Sequence, residues 1–276
     1  MNYIELAKRV AVAVIGIPLI FFLTIKGGLP FVVLIGTIQA LMLWEFYGIC
    51  RQKGVRPLNS LGIIAVVFLS ILSFLVPSPM AFFLIPLITI VVLIVELFRG
   101  KPGPLSNAAA TLLGIVYIGF FSAFILIREM PETKGIAYRD GGLSIILLWA
   151  GIWICDTIAY FFGSYFGKHA LFKRVSPRKT WEGSIAGLIG ALFTVYGFAK
   201  ILLPAMTIMD ILVIGGIIGV FSQIGDLVES LFKRDVQIKD SSHILPGHGG
   251  FLDRFDSPLL IGPLVFLYFL LSGFPG

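Results

Sequence analysis

Nine stretches of roughly twenty consecutive apolar residues dominate this chain, and that is the length an α-helix needs to cross the hydrocarbon of a bilayer. They cover residues 6–25, 29–50, 58–76, 80–98, 108–127, 143–166, 181–203, 208–232 and 258–274. Barrel strands would instead alternate apolar and polar residues over short segments; these runs are continuous, so helices are the reading. Composition agrees, with 58% of the 276 residues hydrophobic and 13% charged, against roughly 45–50% and 25% in soluble domains. The expected fold is all-α: a polytopic transmembrane helix bundle of about nine spans. Turn chemistry separates the runs at Lys26-Gly27-Gly28, Pro77-Ser78-Pro79, Gly100-Lys101-Pro102-Gly103 and Asp140-Gly141-Gly142. Lys8 and Arg9 before apolar residues 10–25 look like a secretory leader. No small-residue cleavage site follows, so the segment is read as a retained first helix.

The basic residues set the orientation. The N-terminus and the even-numbered loops carry sixteen Lys and Arg, and the opposite face carries only Lys26, Arg128, Lys134, Arg139 and Lys200. Positive charge collects inside, so the N-terminus is expected in the cytoplasm and the C-terminus outside. A net charge of +6 so distributed governs topology and does not imply nucleic acid. Cys50 and Cys155 fall in or beside spans and read as buried thiols, without a disulfide or zinc site. The chain is expected to divide into N-terminal helices, 1–107, and a C-terminal catalytic region, 108–276.

Polar chemistry concentrates in two segments on the side read as cytoplasmic. In the later one, Asp226 and Glu229 share a helix face ahead of Lys233 and Arg234. Asp253 and Asp256 repeat that spacing at the start of the last helix, and carboxylates converging from two helices suit Mg²⁺, a hard ion that takes oxygen ligands. Between them lies Pro246-Gly247-His248-Gly249-Gly250, whose amides can approach a phosphate unobstructed; an ordinary turn would not need the Asp, Lys and Arg that flank it. The earlier segment holds Lys168, Lys173, Arg174, Ser176, Arg178, Lys179, Thr180 and Glu182, either a positive-inside anchor or donors for a triphosphate. Thr180 also suits a helix cap. Asp156 lies mid-span, where a carboxylate needs a partner or a function. Gly163 and Gly167 read as a helix-packing pair. Glu45, beside Trp44, reads either as a snorkelling side chain or as functional. His169, His243 and His248 do not have metal-ligand spacing.

At this point the chain resembles a known family. Ser-x-x-Lys-Arg from Ser230, then Lys239-Asp240, then Pro-Gly-His-Gly-Gly-x-x-Asp-Arg-x-Asp ending at Asp256 looks like the signature of the phosphatidate cytidylyltransferases, within 230–257. Asp156-Thr157-x-Ala159-Tyr160, Gly167-Lys168 and Ser176-Pro177-x-Lys179-Thr180-x-Glu182-Gly183 match it too, so the resemblance covers about residues 150–260. One departure is Gln237, where relatives often have glycine. The resemblance implies transfer of CMP from CTP to phosphatidate, giving CDP-diacylglycerol and pyrophosphate, with Mg²⁺ as the divalent metal. It implies Asp226, Asp253 and Asp256 as metal ligands, and Lys233, Lys239 and Arg254 beside them in catalysis. Ser176, Lys179, Thr180, Arg234, Asp240, His248, Gly249, Gly250 and Asp156 are the implied substrate-binding residues. It also implies a prokaryotic plasma membrane with the active site facing the cytoplasm, and an opening at membrane depth near Asp226 and Asp156 for the lipid. Small-residue faces are compatible with a homodimer. Rival readings are cytidylyl transfer to another membrane lipid or its CTP-dependent phosphorylation, and a transporter. The last would be expected to show an inverted repeat or paired broken helices, and the sequence has neither.

Overall fold

The computed structural model describes residues 3–76, 83–134, 136–245, 247 and 249–273. Ten α-helices follow one another in these residues: α1 (Tyr3–Lys26), α2 (Gly28–Gln52), α3 (Asn59–Leu75), α4 (Ile85–Arg99), α5 (Pro104–Gly119), α6 (Ala123–Lys134), α7 (Tyr138–Phe166), α8 (Trp181–Leu202), α9 (Ile208–Asp235) and α10 (Leu252–Ser272). A 3-10 turn, Phe120–Ser122, joins α5 to α6. Over the described residues each apolar window lies mostly on helix, the fifth on the run from α5 through α6; residues 80–82 of the fourth and 274 of the ninth lie outside them. Six segments among the described residues are long and apolar enough to cross a membrane: Gly28–Gln52, Pro104–Pro131, Tyr138–Phe166, Trp181–Leu202, Ile208–Asp235 and Leu252–Ser272. At 17 and 15 residues, α3 and α4 are shorter than the roughly 20 a perpendicular span takes. The chain is a predominantly helical integral membrane protein in which, among the described residues, six segments meet both the length and the apolar criterion, where nine spans were expected.

The segment between α7 and α8, expected as a loop, is instead an antiparallel hairpin of β1 (Ala170–Phe172) and β2 (Ser176–Thr180), with Ala170 opposite Thr180 and Phe172 opposite Ser176. Buried Val175 closes its turn through its N–H to the Phe172 carbonyl at 3.2 Å. Glu182 clips its base: its carboxylate accepts from the His169 N–H and lies 2.6 Å from His169 Nδ1.

The chain packs as two compact units, Met1–Leu126 with Asp235–Phe255, and Ile127–Arg234 with Asp256–Gly276. The core of the first is built on α2, α3 and α5, where Phe31, Ile35, Met42, Leu43, Tyr47, Leu69, Ile115 and Ile118 are fully buried. Gly114 makes room for Tyr47: a Cβ there would lie 2.5 Å from the ring, whose hydroxyl donates to the Thr111 carbonyl at 2.9 Å. Polar groups at membrane depth need internal partners. Gln39 accordingly donates to the Ile118 carbonyl at 3.1 Å and to the Ser122 hydroxyl at 3.0 Å, and accepts from Ser70.

In the second unit glycine lets backbones touch. A Cβ on Gly183 would stand 2.6 Å from the Ala159 carbonyl, and one on Gly187 3.0 Å from the Cys155 carbonyl, so α8 lies directly against α7. Gly163 meets α8 at the Gly183 Cα, 3.6 Å from its own ideal Cβ. Likewise Gly225 of α9 packs on the first turns of α10, where a Cβ would stand 2.8 Å from the Asp256 carbonyl and the Ser257 Cα. Thr207 and Asp210 form a reciprocal cap at the start of α9, with bonds of 2.7 and 3.2 Å.

Candidate active site

The site in the second unit begins with α9, whose spacing puts Asp226 and Glu229 on one face, and with α10, which brings Asp256 to them. Ligand oxygens of the three carboxylates all lie within 4.8 Å of one another. Three acids so close repel one another unless cations intervene. Two lysines do: Lys179, at the end of β2, reaches Asp226 at 2.7 Å, and Lys233, one turn after Glu229, reaches that residue at 2.5 Å. Ser230 donates to Asp226 at 3.1 Å and the Ser257 N–H to Asp256 at 2.7 Å. Asp156 of α7 accepts from the Ser222 hydroxyl at 2.6 Å, and Ser222 lies 3.4 Å from the hydroxyl of Ser257. The donors are all carboxylate oxygens, as a hard ion prefers, so the residues present fit Mg²⁺.

Other residues of the second unit serve the hairpin. The Thr180 hydroxyl accepts from the Gly183 N–H at 3.2 Å and caps α8. Lys179 Nζ lies 3.5 Å from the Gln223 carbonyl, and Arg234 Nε 3.5 Å from that of Val175. Ser176 opens β2. Asp156 is exposed even though it sits midway along α7, and 40% of the Asp226 side-chain surface is accessible.

The rest of the signature belongs to the first unit. There Asp253 Oδ2 accepts from the Ser241 N–H at 2.9 Å, the Ser241 hydroxyl at 2.8 Å and the Gly250 N–H at 2.8 Å. Gly249, at φ 78°, takes a conformation that favours glycine, and its carbonyl accepts from the Leu245 N–H at 3.0 Å. Lys239, Asp240 and Arg254 are exposed. Pro246 and His248 lie outside the described residues. Gln237, the departure from the family pattern, is the one non-glycine residue at positive φ among the described residues, at 60°.

Two residues that the sequence left without a role have one here. Glu229 stands in the acid cluster, as its spacing of three from Asp226 already permitted. Glu45 does not snorkel: it is 1% exposed and bonded to the 241–252 segment. No local pattern announces that contact, because its partners lie about two hundred residues further on.

The profile of the cytidylyltransferase family matches residues 7–272. A phosphatidate cytidylyltransferase of Bacillus subtilis is 35% identical over 286 aligned positions, covering 98% of this chain and 99% of the relative. One from Synechocystis is 33% identical, covering 96% of each. One from Staphylococcus saprophyticus is 40% identical over 159 positions, 58% of each chain.

Proposed function

The chain belongs to the cytidylyltransferase family, and on that premise we propose that it transfers CMP from CTP to phosphatidate, giving CDP-diacylglycerol and pyrophosphate. An oxygen of the lipid phosphate attacks the α-phosphorus of CTP, and the bond from that phosphorus to the oxygen bridging to the β-phosphate breaks as pyrophosphate leaves. The attacking oxygen is already anionic at neutral pH, so no strong general base is required. The difficulty is holding two polyanions together, and charge neutralisation answers it.

One observation carries this reading: carboxylates from α9 and α10 gather within 4.8 Å, with lysines on two of them, in a chain of membrane-spanning helices. Asp226 and Asp256 would hold Mg²⁺. The ion, when bound, neutralises phosphate charge and orients the reacting oxygens. Lys179, Lys233, Lys239 and Arg254 stabilise the triphosphate and the departing pyrophosphate, while Ser176, Thr180 and the glycines orient it. Exposure of Asp156 and Asp226 supports lateral entry of the lipid phosphate, since a mid-span carboxylate facing plain hydrocarbon is costly. The sixteen-to-five asymmetry of Lys and Arg supports a cytoplasmic N-terminus and an active site that takes CTP from the cytoplasm, in the plasma membrane of a prokaryote.

The test incubates the purified protein with labelled CTP and phosphatidate, with and without Mg²⁺. Label enters the lipid fraction only with the metal, and chelation with EDTA abolishes the transfer. Lipid that stays unlabelled, together with nucleotide-independent solute uptake by proteoliposomes, would favour a transporter instead.

A further inference from the structure

Glu45 sits near the end of α2, buried, 207 residues before Leu252. Its Oε1 accepts from the Ser242 hydroxyl at 2.6 Å and the Phe251 N–H at 3.0 Å. Its Oε2 accepts from the Leu252 N–H at 2.7 Å and lies 3.0 Å from the Ser241 hydroxyl. Each oxygen therefore meets one backbone N–H and one hydroxyl. Leu252 opens α10 with Phe251 immediately before it, and the first N–H groups of a helix have no partner within it. A carboxylate placed there gains charge-assisted hydrogen bonds and the favourable end of the helix dipole. Gly250 shows how closely the two pack, because a Cβ on it would stand 2.5 Å from both Glu45 oxygens.

Asp253 grips the same segment from within α10, through Ser241 and the Gly250 N–H. Ser241 and Gly250 thus lie between two carboxylates, and the Ser241 hydroxyl touches both. We propose that Glu45 is a positioning residue for cytidylyl transfer: from α2 it holds the start of α10 and the glycine segment, and so sets how Gly249, Gly250 and Asp253 are presented to the triphosphate. This rests on the assignment of that segment to CTP made above. Glutamine cannot replace it. Both oxygens face a backbone N–H, so either orientation of an amide turns its NH₂ against a donor. Aspartate keeps the charge on a stem one methylene shorter and restores only part of the grip.

The test compares full-length E45Q and E45D with the parent in detergent micelles with Mg²⁺, CTP and phosphatidate. S70A serves as control, since Ser70 is buried in the same unit and donates to Gln39. In E45Q the KM for CTP rises roughly tenfold to a hundredfold, as loss of charge-assisted hydrogen bonds predicts, while the KM for phosphatidate moves much less. E45D recovers part of the CTP effect, and S70A leaves it unchanged. Hydrogen exchange at the amides of 249–252, without substrate, speeds up by about tenfold or more in E45Q and not in S70A. If E45Q fails to fold, E45D supplies both readings. A CTP KM within twofold of the parent, or unchanged exchange, in an active Glu45 variant overturns this role alone. A parent protein that leaves CTP untouched overturns the function reading, and this role with it.

Discussion

Replacing Gly225 by alanine tests whether the acid cluster depends on the close approach of α9 to α10. The added Cβ would stand 2.8 Å from the Asp256 carbonyl oxygen and from the Ser257 Cα, whereas ordinary contact begins at 3.4 Å. Both neighbours are backbone, so the helices must separate by about 0.6 Å, the difference between those distances. Overpacking of this kind costs about 1–3 kcal/mol, offset by about 1 kcal/mol from the better helix propensity of alanine. The contact lies next to Asp226 in α9 and at Asp256 in α10, so the displacement falls on the cluster itself. A misplacement near 1 Å can cost roughly a hundredfold in rate, so roughly a tenfold loss in kcat is expected here. Gly216, on the same helix with nothing within 4 Å of an added Cβ, is the control. G216A keeps full activity and gains about 1 kcal/mol of stability. The assay is incorporation of labelled CTP into lipid at saturating substrates, beside thermal unfolding of each variant in the same detergent. If G225A works within twofold of G216A, the cluster does not depend on that approach and the argument fails.

K179M removes the ammonium group from Asp226, and kcat/KM for CTP falls roughly a hundredfold with the fold retained, read by steady-state kinetics. With 19% of the Lys179 side chain and 40% of the Asp226 side chain accessible, the pair is partly buried and its loss also costs about 1–3 kcal/mol of stability, so a variant that loses that stability yet keeps kcat/KM would contradict the assignment to substrate. T180A loses the α8 cap and about 1 kcal/mol of stability, while T180S stays within about 0.5 kcal/mol, both by thermal unfolding. Q237G relieves a left-handed backbone that costs a side-chain-bearing residue roughly 1–2 kcal/mol. Glycine's added unfolded-state freedom offsets part of that gain, so a rise of up to about 1 kcal/mol is expected, and destabilisation would contradict it.

The helices were legible because twenty-residue apolar runs have one stable form in lipid, and the described part of each window is mostly helix. Which of them span was less legible, because α3 and α4 meet the apolar criterion over fewer residues than the windows suggested. The hairpin escaped detection: strands of three and five residues, one carrying Pro177, are too short for periodicity to register. Glu229 was within reach, since a spacing of three from Asp226 already put it on the same face. Glu45 was not, because a contact across about two hundred residues leaves no mark on its neighbours. Gln237 shows a different limit: nothing in a glutamine announces a left-handed backbone, and the residue type argues against it.

The seam between α7 and α8 bears on how the protein is made. Contact between bare backbones does not depend on expelling water, so it operates as soon as both helices are within lipid. The two helices are neighbours in the chain, and their connecting hairpin is clipped at its own base. Both partners of that seam are therefore in the chain by residue 202, ahead of α9, which carries Asp226, and of α10, which carries Asp256. Each of those late acids is added to a wall whose parts precede it in the chain, and Lys179, the ionic partner of Asp226, is among those parts.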